Sequence, residues 1–519
     1  MLTLPPEPTD HSADPLFRDA ESCAQWLNQL QLTNLQLAHS LLLTQINEFN
    51  RLPLNGLERL KTLELLRDTV HYVQREFAKK LISRPLPLGD SELMVFLSIV
   101  KLWQAMALGY QYCLQDRISG DKRLGKRAAL LCQRCLLYGG LAILEHLRTG
   151  YEFDPGLWQQ LHSLYAFAEG QGLQHKEIPD PFNGGVPLSS CRNSYVKILL
   201  TCYARTAELT RTQLQMLDTW LSEWSAIVPV QRSYTTSKGD AQPLALDLAG
   251  TQGLQPIQFS AHKAKMRYLT MMPLSKQLRV NTILLQQGKT PRQLGLGEHY
   301  NALECIELLT FLHQCWCEDN NTRFASRSPG SQQVQLCSQP ENIHALLSGN
   351  PVRQTVAATV TAQPESKNPP EGWQLENQSL LGAMLSRVDA VGARLASRQL
   401  VALRIGDAET FMLGISTWVS MTRAGQLRIG VRYLPGTVQP LMLQAASASP
   451  AEPDKSVPGF LLHTVPALKT PASLIIPSNW FQPGRVVSIR HLNGEKQQVK
   501  MGFSVERGID YERVSFTLL

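Results

Sequence analysis

The chain has 519 residues, 43% of them hydrophobic and 18% charged, a balance that excludes a disordered or fibrous protein. At roughly 150 residues per domain the length suggests two to four domains. The net charge of +7 is mildly basic, but no run of five or more Lys or Arg occurs, so charge alone points to neither nucleic acid nor a membrane surface.

Residues 1–16 are Pro-rich and acidic and read as a flexible tail. They lack the basic and apolar segments of a secretory signal. Residues 17–225 predict a helical scaffold. Leu57, Leu60, Leu63, Leu66, Val70, Val73, Phe77 and Leu81 recur every three or four positions, which lays one apolar stripe along a helix. The Pro-containing stretch 84–90 breaks that helix, and further helices are expected over 93–115, 127–148, 156–169, 194–208 and 210–225. Short connections between them imply antiparallel pairs, in a bundle or a repeat array.

The longest apolar stretch, Leu93 to Cys113, is interrupted by Lys101, Gln104 and Gln111. It reads as a core helix and not as a membrane span. The ten cysteines are scattered, mostly in apolar helical patterns where a free thiol acts as a small hydrophobe. Cys132 and Cys135 form a C-x-x-C without a second Cys or His pair at zinc spacing, so a core role is expected there and at Cys315 and Cys317. These features predict a reducing, cytoplasmic setting and no metal.

Residues 226–320 mix a strand-like run, Leu244 to Gly250, with helical patterns over 273–286 and 299–318, and are expected to form a bridging module. Gly295 and Gly297 make a lone G-x-G outside any strand-to-helix context. No H-E-x-x-H, G-x-S-x-G or P-loop occurs, so the chain is read as not an enzyme, with no catalytic residue and no cofactor.

From residue 321 the pattern turns to strands. Thr410–Trp418 and Gln426–Leu434 are rich in β-branched and aromatic residues. Linker-like stretches cover 363–372 and 445–458, and shorter strands follow to the end. Asn493-Gly494 predicts a hairpin with a type I′ turn. Two β-rich parts are expected, 321–445 and 446–519.

Two motifs stand in the first part. Arg323 and Arg327 form R-x-x-x-R, and Asn377, Ser379 and Gly382 form N-x-S-x-x-G. Taken singly, the first is a common spacing on a solvated helix face, and the second is ordinary turn composition. Taken in order, and followed by Leu400–Arg404, Gly414–Trp418 and Arg428–Leu434, they resemble the ligand signature and later strands of PilZ domains. The resemblance covers roughly residues 320–445. More loosely, the whole chain resembles large bacterial cyclic-di-GMP-binding proteins that join a helical region to such a barrel.

The fold this implies is α+β multidomain. It comprises an all-α N-terminal bundle or repeat region, then an antiparallel β-barrel of PilZ type with a second small β-unit. The ligand implied is cyclic di-GMP, and the residues implied to bind it are Arg323, Arg327, Asn377, Ser379 and Gly382. The chemistry suits those residue types. A guanidinium pairs with phosphate oxygens and stacks on a purine face. Asn both donates and accepts, which suits a guanine edge, and Gly admits close backbone approach. Ligand binding would pass through a hinge to the helical region and an unidentified protein partner. The alternative is a non-enzymatic helical scaffold whose degenerate barrel binds protein only. Nucleic-acid binding is not expected.

Overall fold

The computed structural model describes residues 2–235, 241–257, 265–318, 328–349, 370–387, 391–445 and 456–519. They fall into two compact units, Met1–Arg84 with Leu88–Thr322, and Pro85–Pro87 with Arg323–Leu519.

The first unit is helical. Its helices are α1 (Ala20–Gln29), α2 (Leu35–Arg51), α3 (Gly56–Ala78), α4 (Asp90–Ile118), α5 (Ala128–Thr149), α6 (Gly156–Gly170), α7 (Cys191–Tyr203), α8 (Arg211–Trp224), α9 (Met272–Gln286) and α10 (Ala302–Cys317). Local chemistry fixes many of the ends. Side chains of Asp19, Asn34, Asn55, Ser190, Thr210 and Asn301 accept from the first free backbone N–H groups of six of these helices. Gly150, in the left-handed region at φ 74°, closes α5.

The core follows the apolar stripes. Leu60, Leu63, Leu66, Val70, Val73 and Phe77 of α3 are all buried, as the periodicity predicts. Cys132 and Cys135 sit fully buried in α5. Two segments, Asp90–Ile118 and Lys122–Thr149, are long and apolar enough to cross a membrane, yet more than half of each apolar stretch is buried within the protein. They are core helices.

A polar network is enclosed in this core. Arg67 donates to Asp180 at 2.7 Å, and Gln133 donates to the other oxygen of Asp180 at 3.2 Å. Arg134 and Tyr110 donate to Glu64 at 2.9 and 2.6 Å. The network ties α3, α4 and α5 to the loop that carries a small two-stranded sheet, β1 (Ile178–Pro179) and β2 (Leu188–Ser189).

Residues 226–318 are continuous with this unit. Strands β3 (Val230–Gln231), β4 (Leu244–Asp247), β5 (Gln255–Pro256) and β6 (Met266–Leu269) form a sheet in the order β3-β6-β4-β5. Leu244, Leu269, Leu274, Leu308 and Trp316 belong to the same core as the helices before them. The segment expected to bridge therefore shares the helical core. Residues 2–16, read from the sequence as a flexible tail, carry no helix or strand but are anchored. Arg51 pairs with Asp10, the Leu16 N–H donates to Gln45 at 2.7 Å, and Ala13 is buried.

The second unit contains β7 (Ser328–Pro329), β8 (Gln333–Ser338), α11 (Pro340–Ser348), β9 (Glu371–Ser379), β10 (Gly382–Arg387), β11 (Leu400–Ile405), β12 (Met412–Met421) and β13 (Leu427–Tyr433). The strands pair in the order β10-β13-β12-β11-β8-β9-β7, and β9 also pairs with β10. That extra pairing closes six of them into an antiparallel ring.

A second closed barrel follows. Its strands are β14 (Val438–Ala445), β15 (Val457–Leu462), β16 (Ser473–Pro477), β17 (Val486–His491), β18 (Lys496–Arg507) and β19 (Tyr511–Leu518), in the order β14-β15-β16-β19-β18-β17. The second part thus starts at Val438, and β14, expected in the first β-rich part, pairs with β15 and β17 instead. Asn493-Gly494 does join the hairpin β17–β18, but only Gly494 has positive φ, at 88°. His491 N–H reaches the Glu495 carbonyl at 2.8 Å, which makes a three-residue loop with a glycine bulge and not a type I′ turn.

The two barrels share an apolar wall. Leu400, Ala402, Leu413 and Ile415 of the first, Ile343 of α11, and Phe460, Leu462, Ile475 and Tyr511 of the second form one buried cluster. Cys337, Leu400, Ala402, Leu413 and Ile415, on the outer face of β8, β11 and β12, are thereby covered. The outer face of β9, β10 and β13 is where the candidate site lies.

Candidate ligand-binding site

Strand β9 alternates in its first half, with Trp373 and Leu375 buried inside the ring. Continued strictly, that period would turn Asn377 inward. A bulge prevents this. Leu375 stands opposite Leu385, whereas Asn377 stands opposite Met384, and Glu376 is the extra residue. One inserted residue reverses the facing of everything beyond it. Asn377 and Ser379 therefore share the outer face with Met384 and Gly382, while Leu385 stays buried.

Ser379 and Gly382 are directly paired across a two-residue turn, Leu380-Leu381. Neither leucine takes positive φ. The Ser379 hydroxyl holds the turn instead, accepting from the Leu381 N–H and donating to the Gly382 carbonyl, both at 3.3 Å. Leu380 is 90% exposed at the tip. The Asn377 side-chain amide donates to the Met384 sulfur at 3.4 Å. Gly382 lies so near β13 that a Cβ would overlap the Val431 carbonyl oxygen and stand 3.3 Å from the Arg432 Cα.

Of the five residues singled out in the sequence, these three come together on one face. Arg323 and Arg327 lie outside the described residues. The chain that follows them is described, however. Ser328 pairs opposite Gln378, and Pro329 pairs opposite Asn377. The residue next in sequence to Arg327 is thus a direct neighbour of the N-x-S segment, although 50 positions separate Arg327 from Asn377 in the chain. Strand β8 and helix α11 occupy part of that interval.

The structure adds residues that the motifs do not include. One cross-strand row on the outer face reads Trp418, Gly430, Met384, Asn377, Pro329. Trp418 lies over Gly430, where a Cβ would stand 2.8 Å from the indole Cδ1 and closer still to Nε1. The missing side chain makes a seat for the ring. Beside this row, Arg432 is opposite Gly382, and Arg428 donates to Glu376 at 3.1 Å. Arg432 pairs with Glu506. The face therefore combines a half-buried indole, two guanidinium groups and the polar side chains of Asn377 and Ser379.

Within the mouth of the ring, burial pushes the Tyr433 phenol up to about 12, against a smaller opposing effect from Gln378. It is a neutral group near pH 7. Among the described residues no cluster of three or more His, Cys, Asp or Glu side chains is placed to hold a metal ion. Burial also pushes the thiols of Cys23 and Cys113 up to about 12, far from the thiolate form that nucleophilic chemistry needs.

Comparison with known proteins gives two family matches. Residues 21–233 match the family described as "Cyclic-di-GMP receptor FimW, N-terminal domain". Residues 442–519 match the "FimW C-terminal beta-barrel domain", which coincides with the second barrel. The chain is also similar to the cyclic-di-GMP receptor FimW of Pseudomonas aeruginosa, with 22% identity over 556 residues, covering 95% of this chain and 89% of that protein.

Proposed function

We propose that this chain is a cyclic-di-GMP receptor of the same kind as the relatives it matches across both ends, and that it binds the ligand on the outer face of its first barrel. The observation that carries the reading is the register of β7 on β9. It sets Ser328 and Pro329 beside Gln378 and Asn377, so the segment that follows Arg327 runs along the N-x-S segment. The similarity to a protein named as a cyclic-di-GMP receptor supports the same ligand class.

Arg323 and Arg327 supply cationic, planar groups to the phosphates and purines of the ligand. Asn377 and Ser379 meet the polar edges. Gly382 keeps β10 tight on β13, and Trp418 offers an aromatic face on which a guanine stacks. The chain acts as a binding protein in the cytoplasm, not as an enzyme.

The arginine pair lies in the ten residues between the end of α10 and the start of β7. Ligand binding is transmitted through that connection, as a hinge, to the helical region, which then shows or hides a surface for a protein partner. The ligand drives this only through its different affinity for the two forms.

The test is calorimetric titration of the full chain with cyclic di-GMP, with Arg323→Ala/Arg327→Ala and GTP as controls. Micromolar or tighter binding that disappears in the double variant supports the site. Absence of binding by the wild type overturns the reading and leaves the scaffold alternative.

A further inference from the structure

Arg432 occupies an unusual position. It stands directly opposite Gly382, which in turn stands opposite Ser379, so it is two strand spacings, about 10 Å, from the motif serine on the same outer face. It pairs with Glu506, a residue of β18 in the second barrel.

Glu506 is aimed there by the fold. Strand β18 shifts register twice, between Met501 and Ser504 and again between Ser504 and Glu506, and such bulges re-aim side chains. The loop after it is fastened to the first barrel at three points. Arg398 donates to the Arg507 carbonyl at 2.7 Å, the Ile509 N–H donates to the Arg398 carbonyl at 2.9 Å, and the Leu400 N–H donates to Asp510 at 3.0 Å. On β19, Arg513 stands opposite Glu506.

We infer that Glu506 is a built-in competitor for the ligand: its carboxylate holds Arg432 until a phosphate of cyclic di-GMP takes that guanidinium, and this exchange carries the binding event into the second barrel. The inference rests on the receptor reading above. Both anions seek the same planar donor, and a guanidinium satisfies a phosphate and a carboxylate in the same bidentate manner. The pair is easily exchanged, because Arg432 and Glu506 keep 41% and 27% side-chain exposure and ion pairs of that kind are weakly held. Once displaced, Glu506 has Arg513 as its next cation, so the release is felt on β19.

The test measures cyclic-di-GMP affinity by calorimetry for the wild-type full chain, Glu506→Gln, Arg432→Gln and the double variant, with thermal melts to check folding. Glu506→Gln is expected to tighten binding about two- to fivefold, since an exposed competing pair has about that weight. Arg432→Gln is expected to weaken binding about tenfold by removing a charge-assisted donor. In the Arg432→Gln background the gain from Glu506→Gln should vanish. Unchanged affinity in Glu506→Gln, while the wild type binds, overturns the inference and leaves the receptor reading intact. Weaker binding in Glu506→Gln makes Glu506 a direct ligand contact and also overturns it, as does a gain that survives without Arg432. No binding by any of the four overturns both readings together.

Discussion

Gly382 lies against the Val431 carbonyl oxygen of the neighbouring strand, with space for a hydrogen atom but not for a methyl group. The glycine of the N-x-S-x-x-G motif thus has a packing reason of its own, independent of any ligand. Gly382→Ala should separate the two strands locally and lower stability by about 1–3 kcal/mol, as overpacking does. Chemical denaturation of the purified variant checks this. An unchanged midpoint would mean that the strand pair yields more readily than its geometry implies.

Trp418 rests on Gly430 in the same fashion, but here the side chain is offered to the outer face. Trp418→Ala should leave the melting temperature close to that of the wild type and weaken cyclic-di-GMP binding about tenfold, in line with the worth of one base stacked on an aromatic ring. Calorimetry reads the affinity. Equal affinity in the variant would remove Trp418 from the site.

The enclosed network of the helical unit makes a different prediction. Arg67 and Asp180 are almost wholly buried, with side-chain exposures of 5% and 1%. Asp180→Asn removes the anion and leaves two guanidinium groups, those of Arg67 and Arg134, short of charge compensation. The expected loss is about 3–5 kcal/mol, the cost of stranding a buried charge. Differential scanning calorimetry should show it in the transition of the helical unit, with cyclic-di-GMP affinity at the barrel unaffected.

Asp510 gives a pH dependence. Burial pushes its carboxyl up to about 6, only partly offset by the Leu400 N–H that it accepts. The folded protein then holds a proton that the unfolded chain has already lost. This raises stability below about pH 4, and the gain disappears as pH rises through about 6. Asp510→Asn keeps the acceptor and never ionises. It should therefore match the wild type near pH 4 and exceed it by about 1–3 kcal/mol at pH 7. Urea denaturation across that range is the measurement, and a difference that does not grow with pH would contradict the assignment.

Much of this architecture was legible in the residues. The stripe Leu60 to Phe77 specified which face of α3 is buried, because a helix of 3.6 residues per turn leaves little choice. The order of the two motifs pointed to the face that holds Asn377, Ser379 and Gly382. Other features were hidden for physical reasons. The bulge at Glu376 changes facing without leaving a composition signal, so the outward turn of Asn377 depends on the partner strand β10. Trp418 lay within an ordinary strand pattern, and only its pairing with Gly430 distinguishes it. Strand β8 does carry a signal, since Gln333, Val334, Gln335 and Leu336 alternate exposed and buried. It was lost among short apolar runs that fit helix or strand equally well. The seam between the barrels depends on β14, whose partners β15 and β17 come later in the chain.

Ring closure has a mechanical consequence. A sheet with an open edge can pass a signal by gaining or shedding a strand, as in strand-addition recognition. The main-chain groups of β9 and β10 are committed on both sides, to β8 and β7 on one flank and to β13 on the other. A molecule gripped on their outer surface meets strands that are paired along both edges, with only the two-residue β7 at the end of the order. Any response of the ring to such a molecule has to pass through side chains, since the backbone groups of these two strands are already spoken for.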